Sequence, residues 1–187
     1  MLINVPGISI VKSQAPPPID PPPSNTIPPD ALWIATDGTD SPSSGSESQP
    51  YQTPAYAFTQ GSSGDTFAFK NGTYTSQLGS WEWSGDRVGT NQPPSGTSGD
   101  RTVIIAENPG GAIFDQSGAD VCSFIDGQYI DVDGFKMING GTYGVFNVSG
   151  SNNRLLNTGC GNGGTSTNSA QISCGGNNNL IEDCWVW

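Results

Sequence analysis

The sequence predicts an all-β protein of the parallel β-solenoid type, in which short strands and turns repeat along one axis. The main support is an internal repeat: residues 150–156 (Gly-Ser-Asn-Asn-Arg-Leu-Leu) return 25 residues later as residues 175–181 (Gly-Gly-Asn-Asn-Asn-Leu-Ile). A looser copy begins at Gly127. Each copy is a turn followed by an aliphatic strand, and one such unit cannot bury its apolar side without stacked neighbours.

The composition supports the same fold class and excludes several functions. Of 187 residues, 26 are glycine, 15 are proline and only 12% are charged, which is typical of turn-rich β proteins. The net charge of −11 disfavours nucleic acid as a partner, because the surface repels phosphate. Histidine, the commonest general base and zinc ligand, is absent. No stretch approaches the roughly 18 apolar residues of a membrane span, so we expect no membrane insertion.

The asparagines in the turns explain why the repeat has a fixed period. Asparagine tolerates the left-handed backbone of a tight corner. When the corner recurs one layer higher, about 4.8 Å away, the side-chain amides can bond along the stack. We therefore expect Asn152 and Asn153 to lie beneath Asn177 and Asn178. This pattern resembles the pectate-lyase-like superfamily of right-handed parallel β-helix proteins; the polar loops of a β-sandwich are the alternative.

The N-terminal 30 residues predict an extended arm rather than part of the core. Residues 1–14 form a short apolar peptide without a local partner and without the basic start of a secretory signal. Residues 15–30 are proline-rich and favour a semi-rigid polyproline II linker. Such a peptide is expected to anchor on another protein by strand addition or in a groove, with a disordered tail as the alternative. The predicted anchor residues are Ile3, Val5, Ile8 and Ile10.

The β-helix itself is predicted over residues 31–187, beginning with an apolar run at 32–35 and a short capping helix. Thr53 is suited to the N-cap, Pro54 to the first helical position and Gly61 to the exit. We expect this helix to cover the open lower end of the solenoid and to hide its strand edges.

Strands of alternating character follow the helix. Phe67 and Phe69 share one face before an Asn-Gly turn, and the alternation of residues 129–137 slips at Gly134, which predicts a corner or bulge. The chain stops within an apolar strand, and because an unpaired edge favours aggregation we expect the native protein to continue past Trp187. Further strands are predicted at residues 102–106, 112–114, 145–148, 170–174 and 184–187.

The order of motifs at the start of the solenoid carries a second resemblance. Asp-Gly-Thr-Asp at 37–40, the helix, and Asn-Gly-Thr-Tyr at 71–74 follow one another as in the N-terminal opening of many β-helix proteins, including polysaccharide-degrading enzymes and phage tail proteins. The resemblance covers residues 33–187. It specifies the fold far more strongly than the function.

Two pairs of side chains are candidate sites. Trp81 and Trp83 share one face if the insertion at 79–100 is extended, so they either stack on sugar rings or pack on the neighbouring coil. Asp131 and Asp133 are expected to point outward together, where they bind calcium, form an acid pair or are simply solvated. We assign no catalytic residue and no cofactor other than this calcium.

The four cysteines predict core packing or one disulfide. Cys160 and Cys184 are 24 residues apart, close to one coil. A layer spacing of about 4.8 Å lies within the roughly 4.4–6.8 Å that a disulfide accepts between Cα atoms. Buried cysteines that fill the core are the alternative, and we expect Cys122 and Cys174 to do the same. None of the four has zinc-ligand spacing.

Together, the anchor peptide, the linker and the β-helix resemble a phage tail spike or fibre. The resemblance implies a homotrimeric virion protein that binds other virion proteins through residues 1–30 and host surface polysaccharide further along the chain. The alternatives are a secreted pectate-lyase-like lyase or hydrolase and a non-catalytic surface adhesin, both extracellular. Any polysaccharide-degrading activity is expected outside this segment, so the sequence does not decide whether the full protein is an enzyme.

Overall fold

The computed structural model describes residues 26–75, 92–116, 123–140, 145–163 and 171–187. In these ranges the chain forms 14 short strands and one helix, α1, at Pro54–Gln60. The strands are β1 Leu32–Ile34, β2 Thr66–Phe69, β3 Gly72–Thr75, β4 Thr102–Ala106, β5 Ala112–Asp115, β6 Ser123–Ile125, β7 Ile130–Asp133, β8 Lys136–Ile138, β9 Phe146–Val148, β10 Arg154–Leu156, β11 Gly159–Gly161, β12 Ile172–Cys174, β13 Leu180–Glu182 and β14 Trp185–Val186.

The strands form three parallel sheets that confirm the predicted parallel β-helix. The first sheet has the order β1-β2-β4-β7-β10-β13, the second β3-β5-β8-β11-β14 and the third β6-β9-β12. Three successive turns of the chain, β4–β6, β7–β9 and β10–β12, each add one strand to every sheet. Among the described residues, no helix has the length and apolar character that a membrane crossing requires.

Alternation along each strand sends one set of side chains into a continuous core. Phe67, Ile104, Val132 and Leu155 are in register on successive strands of the first sheet, and each is almost completely buried. Aromatic rings fill the interior between the first and second sheets; Phe135, for example, lies 5.3 Å from Phe69 between ring centroids. The outward residues of the same strands are left to form the sites described below.

The corner between the first and second sheets repeats on three coils. Gly134, between β7 and β8, has a φ of +82°, which confirms the corner that the slip in alternation predicts. Asn157 and Asp183 hold the same left-handed conformation on the next two coils. Small or short polar residues are the ones that tolerate this conformation, so sequence and corner agree.

The asparagine ladder is present, with a register one residue away from the predicted one. Arg154 pairs with Leu180, so the coil step is 26 residues here and Asn153 lies beneath Asn179. The Oδ1 of Asn179 accepts a hydrogen bond from the backbone N–H of Asn153 at 2.8 Å. Because residues 177–179 are all asparagine, the sequence is compatible with both registers. The structure adopts the register in which Asn179 lies above the buried Asn153.

Asn153 is the best test of this ladder. Its Oδ1 accepts from the N–H of Ile130 at 2.9 Å, its Nδ2 donates to the carbonyl of Gly127 at 2.9 Å, and it is 1% exposed. Asn153→Ala leaves both backbone groups without these partners, at about 1–3 kcal/mol each. We expect the free energy of unfolding, measured by urea denaturation, to fall by about 2–5 kcal/mol. The exposed Asn177→Ala serves as control, and equal losses in both variants would contradict the ladder.

The capping helix is confirmed, but it does not hide the strand edge. The hydroxyl of Thr53 accepts from the N–H of Tyr56 at 3.2 Å, and Phe58 packs against Phe67 with 5.0 Å between ring centroids. The outer edge of β1 is instead covered by the loop that follows this strand. In that loop the carbonyl of Gly45 accepts a hydrogen bond from the N–H of Trp33 at 2.9 Å. The helix closes the apolar end of the core, and the loop satisfies the backbone of the first strand.

Candidate functional site

The structure describes only some of the predicted site residues. Asp131 and Asp133 are described, whereas the proposed tryptophan pair and the anchor peptide lie outside the described residues and stay predictions. The residues outside the described ranges are Ile3, Val5, Ile8, Ile10, Trp81 and Trp83.

Asp131 is buried inside an ion cluster, which contradicts the alternative that it is a solvated surface acid. Its Oδ1 accepts from Nε of Arg101 at 2.8 Å and from Nε of Arg154 at 2.7 Å, and the carboxylate is fully buried. Arg154 lies directly above it in the sheet register, and Arg101 reaches it from the turn before β4. Because two guanidinium groups surround this carboxylate, its observed role is to join three successive coils.

Asp133 is also covered, at 4% exposure, but by a neutral partner. Nδ2 of Asn157, one coil above, donates to its Oδ1 at 2.8 Å. Burial raises the pKa of this carboxyl group, the charge of Asp131 raises it further, and the bond from Asn157 lowers it. No group of three or more acidic or sulfur ligands suited to a metal occurs among the described residues, and the calcium assignment stays a prediction.

The cysteines that the structure describes are free thiols. Cys160 is buried in the core, and burial, followed by the nearby Cys184, raises its pKa to about 12. The Sγ of Cys184 lies 3.4 Å from the carbonyl oxygen of Leu155. Cys174 is in register with the buried Val148 and therefore lies on the core-facing side of β12, the final strand of the third sheet, where it is exposed. Its packing in the core stays a prediction, and Cys122 lies outside the described residues.

Two tryptophans of the apolar strand predicted at 184–187 lie on the outer surface. Trp185 pairs with Gly159, and the next residue, Val186, pairs with the buried Cys160. Trp185 and Trp187 therefore share the outward side of the second sheet. Each is 48% exposed, and we call Trp185, Trp187 and the underlying Lys136 the tryptophan face.

Two glycines allow the indoles to lie across the sheet. A Cβ atom at Gly159 would overlap the ring of Trp185, and one at Gly161 would overlap the ring of Trp187. The ring of Trp187 crosses β11 and has the Nζ of Lys136 5.5 Å from its centroid, within cation–π range. The Gly-x-Gly at 159–161 and Trp-x-Trp at 185–187 are 26 residues apart, so the correct coil step would have revealed the pair from sequence.

A groove of about 270 Å³ adjoins Trp185 at the corner between the first and second sheets. Its apolar lining comes mainly from β4 and the turn after it, and its polar lining is the hydrogen-bonded pair Asp133 and Asn157. We call it the corner groove. Its lining residues are Ile105, Ala106, Pro109, Asp133, Gly134, Asn157 and Trp185.

The fold is similar to that of solved polysaccharide lyases. A rhamnogalacturonan lyase superimposes with a TM-score of 0.58 and 17% identity over 84% of this chain and 51% of that one. A mannuronic-acid-specific polysaccharide family 6 lyase from human gut microbiota gives a TM-score of 0.48 and 19% identity, over 72% and 33%. The chain thus spans about half the length of the first of these proteins. The sequence matches no protein-family model and no curated protein.

Proposed function

We propose that this chain is part of a polysaccharide-binding β-helix protein and that the tryptophan face contacts the glycan. The observation that carries the proposal is the pair Trp185 and Trp187, each half exposed on the same side of one strand. Large exposed aromatic side chains combine an apolar face with a polar edge, which suits the CH-rich faces and hydroxyl rims of sugar rings.

The geometry of the face suits an extended glycan. Residues two apart on a strand are separated by about 6.6 Å, on the scale of neighbouring sugar rings in a chain. The indoles lie over Gly159 and Gly161 on a paired strand, so little freedom is lost when a ligand binds. A rigid platform of this kind favours binding along the wall of the solenoid.

The proposal is binding and not lyase cleavage, because the described basic side chains are committed to other contacts. A lyase needs a positioned base beside the scissile bond. The four described basic side chains are engaged elsewhere: Arg101 and Arg154 on Asp131, Lys136 at Trp187 and Lys70 at Trp33, 5.7 Å from the ring centroid. The likeness to a lyase fold therefore supports a shared scaffold, and a secreted lyase or hydrolase is the alternative function.

The first test is retention of the whole chain by polysaccharides. We expect slower migration in gels that contain a bound polysaccharide, with no change in the length of that polysaccharide and no unsaturated product by ultraviolet absorbance. Absence of retention by every polysaccharide in a broad panel would overturn the proposal. Cleavage products would favour the enzyme alternative.

The biological setting proposed for this binding is a phage tail spike or fibre, with a homotrimer and a virion location. Its support is the order of the sequence, in which an apolar peptide at 1–14 and a proline-rich linker at 15–30 precede the β-helix. We expect deletion of residues 1–30 to leave polysaccharide retention intact and to abolish incorporation into particles. Incorporation of the shortened chain would contradict this setting and would favour a secreted enzyme or adhesin.

A further inference from the structure

We propose that the corner groove makes the binding face selective for neutral sugars over uronates. The inference rests on the proposed polysaccharide-binding function and specifies its ligand. It follows from the charges and contacts of this chain.

The charged groups around the groove are mainly acidic. Asp133 lines the groove directly. Glu182 lies two strands above it in the same outward column, and Asp183 occupies the corner of that coil; both are exposed. A uronate carboxylate in the groove would approach like charges in a partly desolvated site, where repulsion is weakly screened.

The nearby cations are already committed to other contacts. Arg101 and Arg154 both bond to Asp131, on the strand that carries Asp133. Lys136, the basic residue on the tryptophan face, has its Nζ over the ring of Trp187. Recruiting either arginine for a uronate would break a buried ion cluster, so the cost of binding an acidic sugar is high.

The same lining is complementary to a neutral sugar. Trp185 and Pro109 offer apolar surface to the CH face of a pyranose ring, while the carboxylate of Asp133 accepts hydrogen bonds from hydroxyl groups. Nδ2 of Asn157 donates one hydrogen to Asp133 and retains a second for a sugar oxygen. Carboxylate and hydroxyl form strong charge-assisted bonds, which a uronate carboxylate cannot supply at neutral pH.

The test compares two oligosaccharides of equal length that differ only in the oxidation of C6, galactose-based and galacturonate-based. Calorimetric titration of the whole chain is expected to give roughly tenfold tighter binding of the neutral series at low salt, because like charges oppose the acidic one. Added salt should reduce the part of this affinity ratio that comes from the exposed Glu182 and Asp183, and should leave the part that comes from the buried Asp133. Asp133→Asn keeps an acceptor for Asn157 and should reduce the ratio of neutral to acidic affinity severalfold. Glu47→Gln, on the exposed loop before Tyr51, should leave this ratio unchanged.

Each outcome decides between the inference and the proposed function. Tighter binding of the galacturonate series would overturn neutral selectivity and leave polysaccharide binding intact. An unchanged ratio in a folded Asp133→Asn variant would overturn the role of the corner groove. If neither series, nor neutral glucose-based and mannose-based chains, binds at millimolar concentration, the proposed function itself fails and the inference fails with it.

Discussion

Replacing Asp131 with alanine is expected to lower the free energy of unfolding by about 3–5 kcal/mol, because two buried guanidinium groups lose their counter-charge. The side chains of Arg101 and Arg154 are only 12% and 8% exposed, so water cannot replace the carboxylate without local opening. The cluster joins β7, β10 and the turn before β4, and its loss should loosen three coils together. Chemical denaturation monitored by circular dichroism measures the change.

Two further variants separate this charge effect from a general loss of packing. Glu47→Ala removes an exposed carboxylate and should change stability by less than about 0.5 kcal/mol. Replacing Arg101, Asp131 and Arg154 together by methionine, leucine and methionine should recover most of the loss, because no unpaired charge remains buried. A loss below about 1 kcal/mol in Asp131→Ala would contradict the buried cluster.

Replacing both Trp185 and Trp187 with alanine is expected to weaken polysaccharide binding about a hundredfold. Large aromatic anchors at the centre of a binding surface contribute about 2 kcal/mol or more each, roughly thirtyfold, and neighbouring contributions do not simply add. Both indoles are exposed, so their removal should cost little stability. Titration calorimetry with the polysaccharide that gives the strongest retention measures the effect.

The control for this variant is Ile181→Ala. Ile181 is 41% exposed on the same coil but belongs to β13 of the first sheet, away from the tryptophan face. Ile181 continues the core-facing column of Leu155 on the final strand of the first sheet, so Ile181→Ala removes apolar surface on the inward side of that strand and binding should stay within about twofold. Equal weakening by both changes would mean that the end of the solenoid, and not the tryptophan face, contacts the glycan.

The fold was predictable because its signals are local. Turn residues, aliphatic strands and the slip at Gly134 each report on a few neighbouring residues, and the repeat joins them into one period. The exact register was not predictable, since three consecutive asparagines at 177–179 fit two alignments. Only burial decides between them, because Asn153 must satisfy backbone groups on the coil below.

The candidate site was less predictable because it depends on what lies across the coils. Alternation correctly places Asp131 and Asp133 on the outward side of β7, but it does not reveal that Arg101 and Arg154 cover one and Asn157 the other. The tryptophan face was not predicted for the same reason. The apolar Cys-Trp-Val-Trp ending predicts a strand, but only the pairing of Trp185 with Gly159 shows that both indoles lie on its outward side.

The most direct test of the tryptophan face is a proton–nitrogen correlation spectrum of the whole chain, recorded while a retained oligosaccharide is added. The five tryptophans give five indole N–H signals, which single phenylalanine variants assign. We expect the signals of Trp185 and Trp187 to shift with ligand while that of Trp33, which is 7% exposed, stays in place. Shifts confined to Trp81 and Trp83 would move the binding site to the insertion at 79–100 and contradict the tryptophan face.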